Sequence, residues 1–205
     1  MLKKFTLINI LLITLLISSG CNQSKDAVAT IVVNDKSKYA DTFEDLNLGV
    51  LFDYHFNWLK ADETWVNIWI ERYEQGNPEP EILEQLIFGL SPNKTEKGNI
   101  GFGVINPDGE AASIFLYAPG VTTKPAPMEK FLLEDGIMGW DYTLDKKLVL
   151  QLGETYLLAL VRESPDNLEF YNIQDESEIE KMINETRGVL LLKIKIDSEE
   201  KSVIQ

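Results

Sequence analysis

The sequence predicts a mainly β protein, a two-sheet antiparallel β-sandwich with one or two short helices. Roughly seven short apolar segments alternate with a period of two and are separated by turn residues, which is the pattern of strands. Helical spacing is confined to the regions after residues 78 and 177. The 205-residue chain is 44% hydrophobic and 10% aromatic, enough for one core, so we expect a single domain over residues 41–205.

Residues 1–20 are predicted to be a signal peptide. A basic start, Lys3-Lys4, precedes an apolar run from Phe5 to Ile17. That run is shorter than the roughly 20 residues that a membrane-spanning helix needs, so it fits the apolar part of an export signal. Small residues follow it and end at Cys21, the single cysteine of the chain.

The stretch Ile17-Ser18-Ser19-Gly20-Cys21 resembles the lipobox of bacterial lipoproteins. In that family the cysteine thiol receives diacylglycerol and becomes the first residue of the mature protein. The resemblance implies lipidation of Cys21 and a place on the extracytoplasmic face of the cell membrane. The alternative is an ordinary signal peptide ahead of a buried free cysteine. Residues 21–40 are then expected to form the lipidated N-terminus and a tether, to which Val28–Val33 can add an edge strand.

The strongest periodic signal lies between Leu46 and Trp58, where the apolar residues occupy even positions. A period of two places such side chains on one face of a strand. The segment 64–73 alternates again, with one face carrying Val66, Ile68 and Ile70 and the other carrying Trp65, Trp69 and Tyr73. Because turn residues separate the two segments, they predict a β-hairpin.

A short helix is predicted between Pro78 and Pro92, because apolar residues there recur at helical spacing. These residues are Ile82, Leu83, Leu86 and Ile87. A second hairpin is predicted over residues 100–118, because Asn106-Pro107-Asp108-Gly109 suits a type I turn. The segment Met128–Asp135 is compatible with either helix or strand.

Two further strands are predicted at Lys147–Leu152 and Thr155–Arg162, and the second is apolar on both faces, as in a strand that is covered on both sides. The stretch Leu150-x-Leu152-Gly153-x-x-Tyr156 resembles the tyrosine corner of fibronectin type III and immunoglobulin-like domains. The resemblance implies an immunoglobulin-like sandwich in which the tyrosine hydroxyl bonds to backbone just upstream. The alternative is an ordinary hairpin whose tyrosine packs in the core.

The C-terminal part predicts a helix followed by a strand. Ser177 and Glu180 form a capping box, and Gly188 marks the end of the helix. The strand Val189–Asp197 alternates, with its even-numbered residues facing inward and its lysines facing out. Lysine at such positions suits an outer strand, where it discourages pairing with other chains.

Charge excludes several classes of partner. The formal net charge is −14, and removal of residues 1–20, which hold two lysines and no acid, takes it to −16. Such a surface repels nucleic acid, which we exclude as a partner, and also anionic lipid headgroups. A single cysteine forms no intramolecular disulfide, so the fold depends on its core. No cofactor is expected.

No catalytic residue is predicted, and we do not expect an enzyme. His55 is the only histidine, so a metal site would depend on carboxylates, and none is predicted. Asp53 shares a strand face with His55 and could orient its imidazole, but no nucleophile motif accompanies the pair. The alternative is a glycosidase-type enzyme, whose paired acids would have to converge at about 5–9.5 Å.

The candidate ligand-binding residues are Trp65, Trp69, Tyr73 and His55. The three aromatic side chains share one strand face with intervening polar residues, and the first predicted hairpin would place His55 opposite Trp69. Flat rings with interleaved polar groups suit a sugar, whose C–H face stacks on the ring. The alternative is that this face is buried, because large aromatic side chains contribute much apolar area to cores.

These observations together predict a lipid-anchored extracytoplasmic lipoprotein with a non-enzymatic β-sandwich domain in a binding or accessory role. Its expected partners are the membrane, through the lipid on Cys21, and another envelope protein or a cell-wall glycan. The alternatives are a carbohydrate-binding surface protein that uses the aromatic strand face, the glycosidase-type enzyme, and a lipoprotein that sequesters a toxic peptide.

Overall fold

The computed structural model describes residues 27–75, 77–128, 136–164 and 169–204. Sheet I contains β1 (Ala27–Val33), β2 (Gly49–Trp58), β5 (Glu96–Ile105), β6 (Ser113–Ala118), β7 (Val121–Thr122), β8 (Ala126–Pro127) and β10 (Leu148–Gln151). Sheet II contains β3 (Trp65–Glu74), β4 (Asn77–Gly89), β9 (Ile137–Tyr142), β11 (Thr155–Ser164) and β12 (Gly188–Asp197). The helices are α1 (Lys38–Asp45) and α2 (Glu176–Glu185). The predicted signal peptide, Cys21 and nearly all of Met128–Asp135 lie outside the described residues.

This architecture confirms the predicted mainly β, two-sheet antiparallel sandwich with two short helices. Sheet I has the strand order β10-β1-β2-β5-β6-β7, with β8 also on β6, and sheet II has the order β4-β3-β12-β11-β9. Alternate side chains of both sheets fill the space between them. The Tyr54 hydroxyl donates to the Leu158 carbonyl at 2.5 Å and so links the two sheets through the core.

The predicted hairpin between β2 and β3 is wrong, because the two strands belong to different sheets. Their connection crosses the end of the sandwich, and Ala61 at its centre is fully buried. The Leu59 N–H donates to the Val28 carbonyl of β1, and the Ala61 N–H donates to the Lys94 carbonyl in the loop before β5. Both hydrogen bonds hold the connection in place. The Trp58 indole N–H donates to the Thr64 hydroxyl at 2.8 Å and fixes the end of the connection, just before β3. Apolar alternation says which residues share a face, but it does not say which strand lies alongside.

The predicted helix over residues 78–92 is also wrong, since this segment is the edge strand β4. A β-bulge shifts its pairing with β3 between Glu84 and Ile82. A bulge inserts one extra residue and so breaks the period of two. Leu83 and Leu86, three residues apart, therefore both pack against the core. That spacing imitates the period of a helix.

Two strands that were expected at sheet edges are internal. β1 lies between β10 and β2, and β12 lies between β3 and β11. The side chains of Val28, Ala29 and Ile31 are buried in the main core, so the segment predicted to be a tether contributes a strand to sheet I. The inward positions of β12 agree with the prediction, because its even-numbered residues from Leu190 to Ile196 lie in the core.

A second apolar cluster lies on the outer face of sheet II, beneath α2. It contains Leu160, Val189, Leu191 and Met182, and it accounts for the apolar character of both faces of β11. The predicted capping box is wrong in its capping residue, because Asp175 caps α2 by accepting from the Ser177 N–H. In the described part of the chain, no helix is long and apolar enough to cross a membrane.

Two predicted turns have the expected contacts. β5 and β6 form the predicted hairpin, and the Gly109 N–H donates to the Asn106 carbonyl at 3.0 Å. At the second turn, between β10 and β11, the Tyr156 hydroxyl accepts from the Gln151 N–H at 3.1 Å. This turn carries the chain from sheet I to sheet II.

Candidate functional site

The predicted aromatic row lies on the outer face of sheet II, where its polar groups are already engaged. Trp69 is only 4% exposed, and its indole N–H donates to the Glu71 carboxylate at 2.8 Å. The same carboxylate accepts from the Tyr73 hydroxyl at 2.8 Å and from the Lys193 ammonium at 2.7 Å. The surface therefore offers little of Trp69 for a ligand to stack on.

The Glu71 carboxylate is stabilised in its charged form. Burial acts to raise its pKa, but hydrogen bonds from Lys193, Trp69 and Tyr73 outweigh burial and lower the pKa of this carboxyl. The C-terminal segment adds cover, because the Asn67 amide donates to the Lys201 carbonyl at 3.1 Å. The Glu71–Lys193 ion pair thus holds Trp69 and Tyr73 in place on the outer face of sheet II.

His55 does not lie with this aromatic row. It belongs to sheet I, where it pairs with Asn99, whereas Trp69 lies between Gln85 and Lys193 in sheet II. The predicted juxtaposition of His55 and Trp69 is therefore wrong. Its cause is the crossover at Ala61, which sends β2 and β3 to different sheets.

The structure instead forms an apolar groove between α1 and the outer face of sheet I. Its volume is about 450 Å³, within the range of small-ligand sites. Its walls and floor include Tyr39, Thr42 and Phe43 of α1, Leu51 of β2, Phe115 and Tyr117 of β6, and Val121 of β7. We call it the aromatic groove.

Two glycines of β5 leave room for the aromatic rings that form the floor of the groove. Gly103 pairs with Phe115, and Gly101 pairs with Tyr117. A Cβ atom at Gly103 would lie 2.3 Å from the Phe115 ring, and one at Gly101 would lie 2.8 Å from the Tyr117 hydroxyl. Because these Cβ atoms are absent, both rings can lie over β5. The result is an aromatic floor on the outer side of the sheet.

Helix α1 supplies the opposite wall. The Tyr39 ring meets the Tyr117 ring edge-on, with centroids 6.2 Å apart, and the Phe43 ring lies 5.9 Å from the Phe115 ring. The first turn of the helix is fixed by Ser37, whose hydroxyl accepts from the Ala40 N–H. None of the α1 residues is fully buried, so the helix leaves its aromatic side chains accessible from solvent.

A buried carboxylate holds the helix and the floor together. Asp53 is fully buried, and it accepts from Ser37 at 2.5 Å, from Asn34 at 2.9 Å and from Asn99 at 2.8 Å. The Tyr117 hydroxyl is its fourth donor, at 2.9 Å. All four donors are neutral, so Asp53 links three separate segments of the chain through hydrogen bonds alone.

Tyr117 remains a hydrogen-bond donor throughout the ordinary pH range. Burial and then the negative charge of Asp53 raise the pKa of its hydroxyl well above the usual value. The hydroxyl also lies 3.0 Å from the Phe52 carbonyl. The ring of Tyr117 is thus fixed at both its strand and its hydroxyl, which gives the groove a rigid floor.

The lining of the aromatic groove is mostly apolar. Its side chains are aromatic, aliphatic or hydroxyl-bearing, and the one carboxylate beneath it is fully hydrogen-bonded. Among the residues described, no three His, Cys, Asp or Glu side chains are close enough to hold a metal ion. An aromatic ring or a short aliphatic group of a ligand fits such a lining.

The aromatic groove was not predicted from the sequence, although one signal for it was present. The predicted β5–β6 hairpin fixes the register, which places Gly101 and Gly103 opposite Tyr117 and Phe115. Small residues facing large aromatic ones across two strands allow the rings to lie over the smaller pair. Helix α1, by contrast, lies in a segment for which no helix was predicted.

No protein-family model matches the chain, and no curated protein is significantly similar to it in sequence.

Proposed function

We propose that this chain is a lipid-anchored lipoprotein of the extracytoplasmic face of the cell membrane, and that its β-sandwich is a non-enzymatic binding module. The ligand occupies the aromatic groove and carries a flat or compact apolar group. The observation that carries the binding role is the rigid aromatic floor, which Gly101, Gly103 and Asp53 maintain at the outer face of sheet I.

The anchor rests on the sequence around Cys21. A basic start, an apolar run, small residues and the cysteine follow one another as in the signal peptides of the bacterial lipoproteins that this segment resembles. Two or more acyl chains hold a protein firmly, because each buried CH₂ contributes about 0.8 kcal/mol. An anchored module also has a raised effective concentration for partners at the same membrane.

Replacing Cys21 with serine is expected to abolish acylation in the bacterial host. The measurement is incorporation of radioactive palmitate into the full-length chain, with the variant compared to the unmodified protein. The matched control is Ser19→Ala, which keeps a small residue before the cysteine and is expected to be labelled normally. Equal labelling of the Cys21→Ser variant would show that lipid is attached elsewhere and would remove the anchor from the proposal.

The binding role is tested with indole as the probe, on the mature chain from residue 21 with serine at position 21. This chain keeps every described strand and helix. We expect line broadening of indole NMR signals in the presence of the protein. In a Thr42→Trp variant the new side chain extends over the groove, so indole binding is expected to be lost.

Shortening one aromatic side chain of the floor is expected to weaken indole binding without abolishing it. Phe115→Ala removes one ring contact, worth about 0.5–1.5 kcal/mol, so indole affinity is expected to fall by a factor of roughly 2 to 13. The matched control is Phe170→Ala, because Phe170 is 100% exposed and lies outside the groove. If Thr42→Trp binds indole as well as the parent chain, the aromatic groove is not the binding site.

A further inference from the structure

A second groove on the outer face of sheet I has the opposite character. Its volume is about 510 Å³, and its polar lining includes Thr30 of β1, His55 and Asn57 of β2, Lys97 and Asn99 of β5, and Lys147 beside β10. We call it the lysine groove. It shares no lining residue with the aromatic groove, so a ligand bound here would occupy a separate site.

The charge of the lysine groove is opposite to that of the whole chain. The protein carries a formal net charge of −14, yet Lys97 and Lys147 line the groove and no carboxylate does. Among the described residues neither lysine forms an ion pair. The Asp53 carboxylate accepts a hydrogen bond from Asn99, which lines this groove. It is fully buried, however, and its oxygens are occupied by four hydrogen-bond donors. Two positive charges are therefore available to a ligand.

Hydrogen-bonding groups lie beside these charges. The Asn57 Oδ1 atom is buried and accepts no hydrogen bond from any described residue. A buried acceptor without a donor is costly. Asn57 as a residue is only half-buried and lines the groove, so a small rotation of its amide would bring this oxygen to a ligand hydroxyl. The His55 ring lies 3.4 Å from the Asn99 amide oxygen, and His55 is exposed and lines the groove. This lining suits a ligand that carries negative charge and a hydroxyl donor.

We infer that the lysine groove binds a small anionic sugar, with its carboxylate or phosphate between Lys97 and Lys147 and a hydroxyl donating to Asn57. The volume suits one sugar ring rather than a polymer. The overall negative charge of the protein repels large polyanions, whereas a small ligand is held by the local charge alone.

The test uses the mature chain with serine at position 21 and four probes: glucuronate, glucose 6-phosphate, glucose and inorganic phosphate. Binding is followed by shifts of backbone amide signals in residues 97–99. We expect saturable shifts with glucuronate, with glucose 6-phosphate, or with both, and the tighter of the two identifies the anionic group. Glucose is expected to bind at least about fivefold more weakly, because it lacks the charge. Inorganic phosphate is expected to bind more weakly than glucose 6-phosphate, because it offers no ring hydroxyl to Asn57.

The variants separate the groove from general surface charge. Lys97→Gln and Lys147→Gln are each expected to weaken the bound anionic sugar by about fivefold, with an unchanged melting temperature. Lys146→Gln, which makes the same charge change beside the groove, is the matched control and is expected to have a much smaller effect. Equal weakening by all three variants, equal affinity for glucose and the charged sugars, or no shift with any probe would overturn the inference.

Discussion

Replacing Asp53 with alanine is expected to lower the free energy of unfolding by about 4 kcal/mol. The carboxylate is fully buried and accepts four hydrogen bonds. Alanine would remove the acceptor of Asn34, Ser37 and Asn99, and Tyr117 would keep only its contact with the Phe52 carbonyl. The Ser37 hydroxyl is buried, so water does not readily replace the carboxylate there. The measurement is urea unfolding at neutral pH, followed by tryptophan fluorescence.

The same substitution is expected to abolish indole binding even where the protein remains folded. Asn34 and Ser37 connect the start of α1 to Asp53, and Tyr117 belongs to the floor, so both sides of the aromatic groove depend on this carboxylate. Asp141→Ala is the matched control, because Asp141 is exposed and is expected to change stability by no more than about 0.5 kcal/mol. Similar losses in the two variants would contradict a special role for Asp53.

Replacing Gly101 with alanine is expected to cost about 3 kcal/mol of unfolding free energy. A Cβ atom at this position would lie 1.9 Å from the Phe52 carbonyl oxygen. That oxygen belongs to the backbone of the neighbouring strand, so β2 and β5 would have to move apart. The measurement is again urea unfolding, and the indole assay reports on the floor.

Gly103→Ala is the informative comparison for this prediction. Its Cβ atom would meet the Phe115 ring, and a side chain can rotate where a backbone cannot. We therefore expect a loss of only about 1 kcal/mol, together with a clear loss of indole binding as Phe115 leaves the floor. If Gly101→Ala were as mild as Gly103→Ala, the close approach of β2 and β5 would not limit stability.

Local pattern predicts faces and turns well in this chain. The even-numbered residues of β2 and β12 face the core as the alternation requires, and the Asn106–Gly109 turn closes a hairpin. These features depend on neighbours in sequence, whose geometry a period of two or a turn motif determines directly. The fold class followed from them because many such segments in one chain favour two stacked sheets.

Pairing between distant segments was harder to predict. The connection around the buried Ala61 crosses between the sheets instead of closing a hairpin. The residues around Ala61 are compatible with either arrangement, so the sequence does not distinguish the two. The bulge in β4 spaces Leu83 and Leu86 as a helix would. The prediction of the candidate site was the least accurate, because only the predicted hairpin placed His55 opposite Trp69. The aromatic groove depends on contacts between α1, β5 and β6, of which only the β5–β6 register was predictable.

The early entry of β1 into sheet I has a consequence for orientation at the membrane. Ala27, the first residue of β1, already pairs with Gln151, and an extended chain covers at most about 20 Å between Cys21 and Ala27. With lipid on Cys21, as we propose, the end of the sandwich that holds Ala27 stays within this distance of the bilayer. Because β1 runs away from that end toward α1, the aromatic groove, which Leu51 and α1 line, lies toward the opposite end of sheet I.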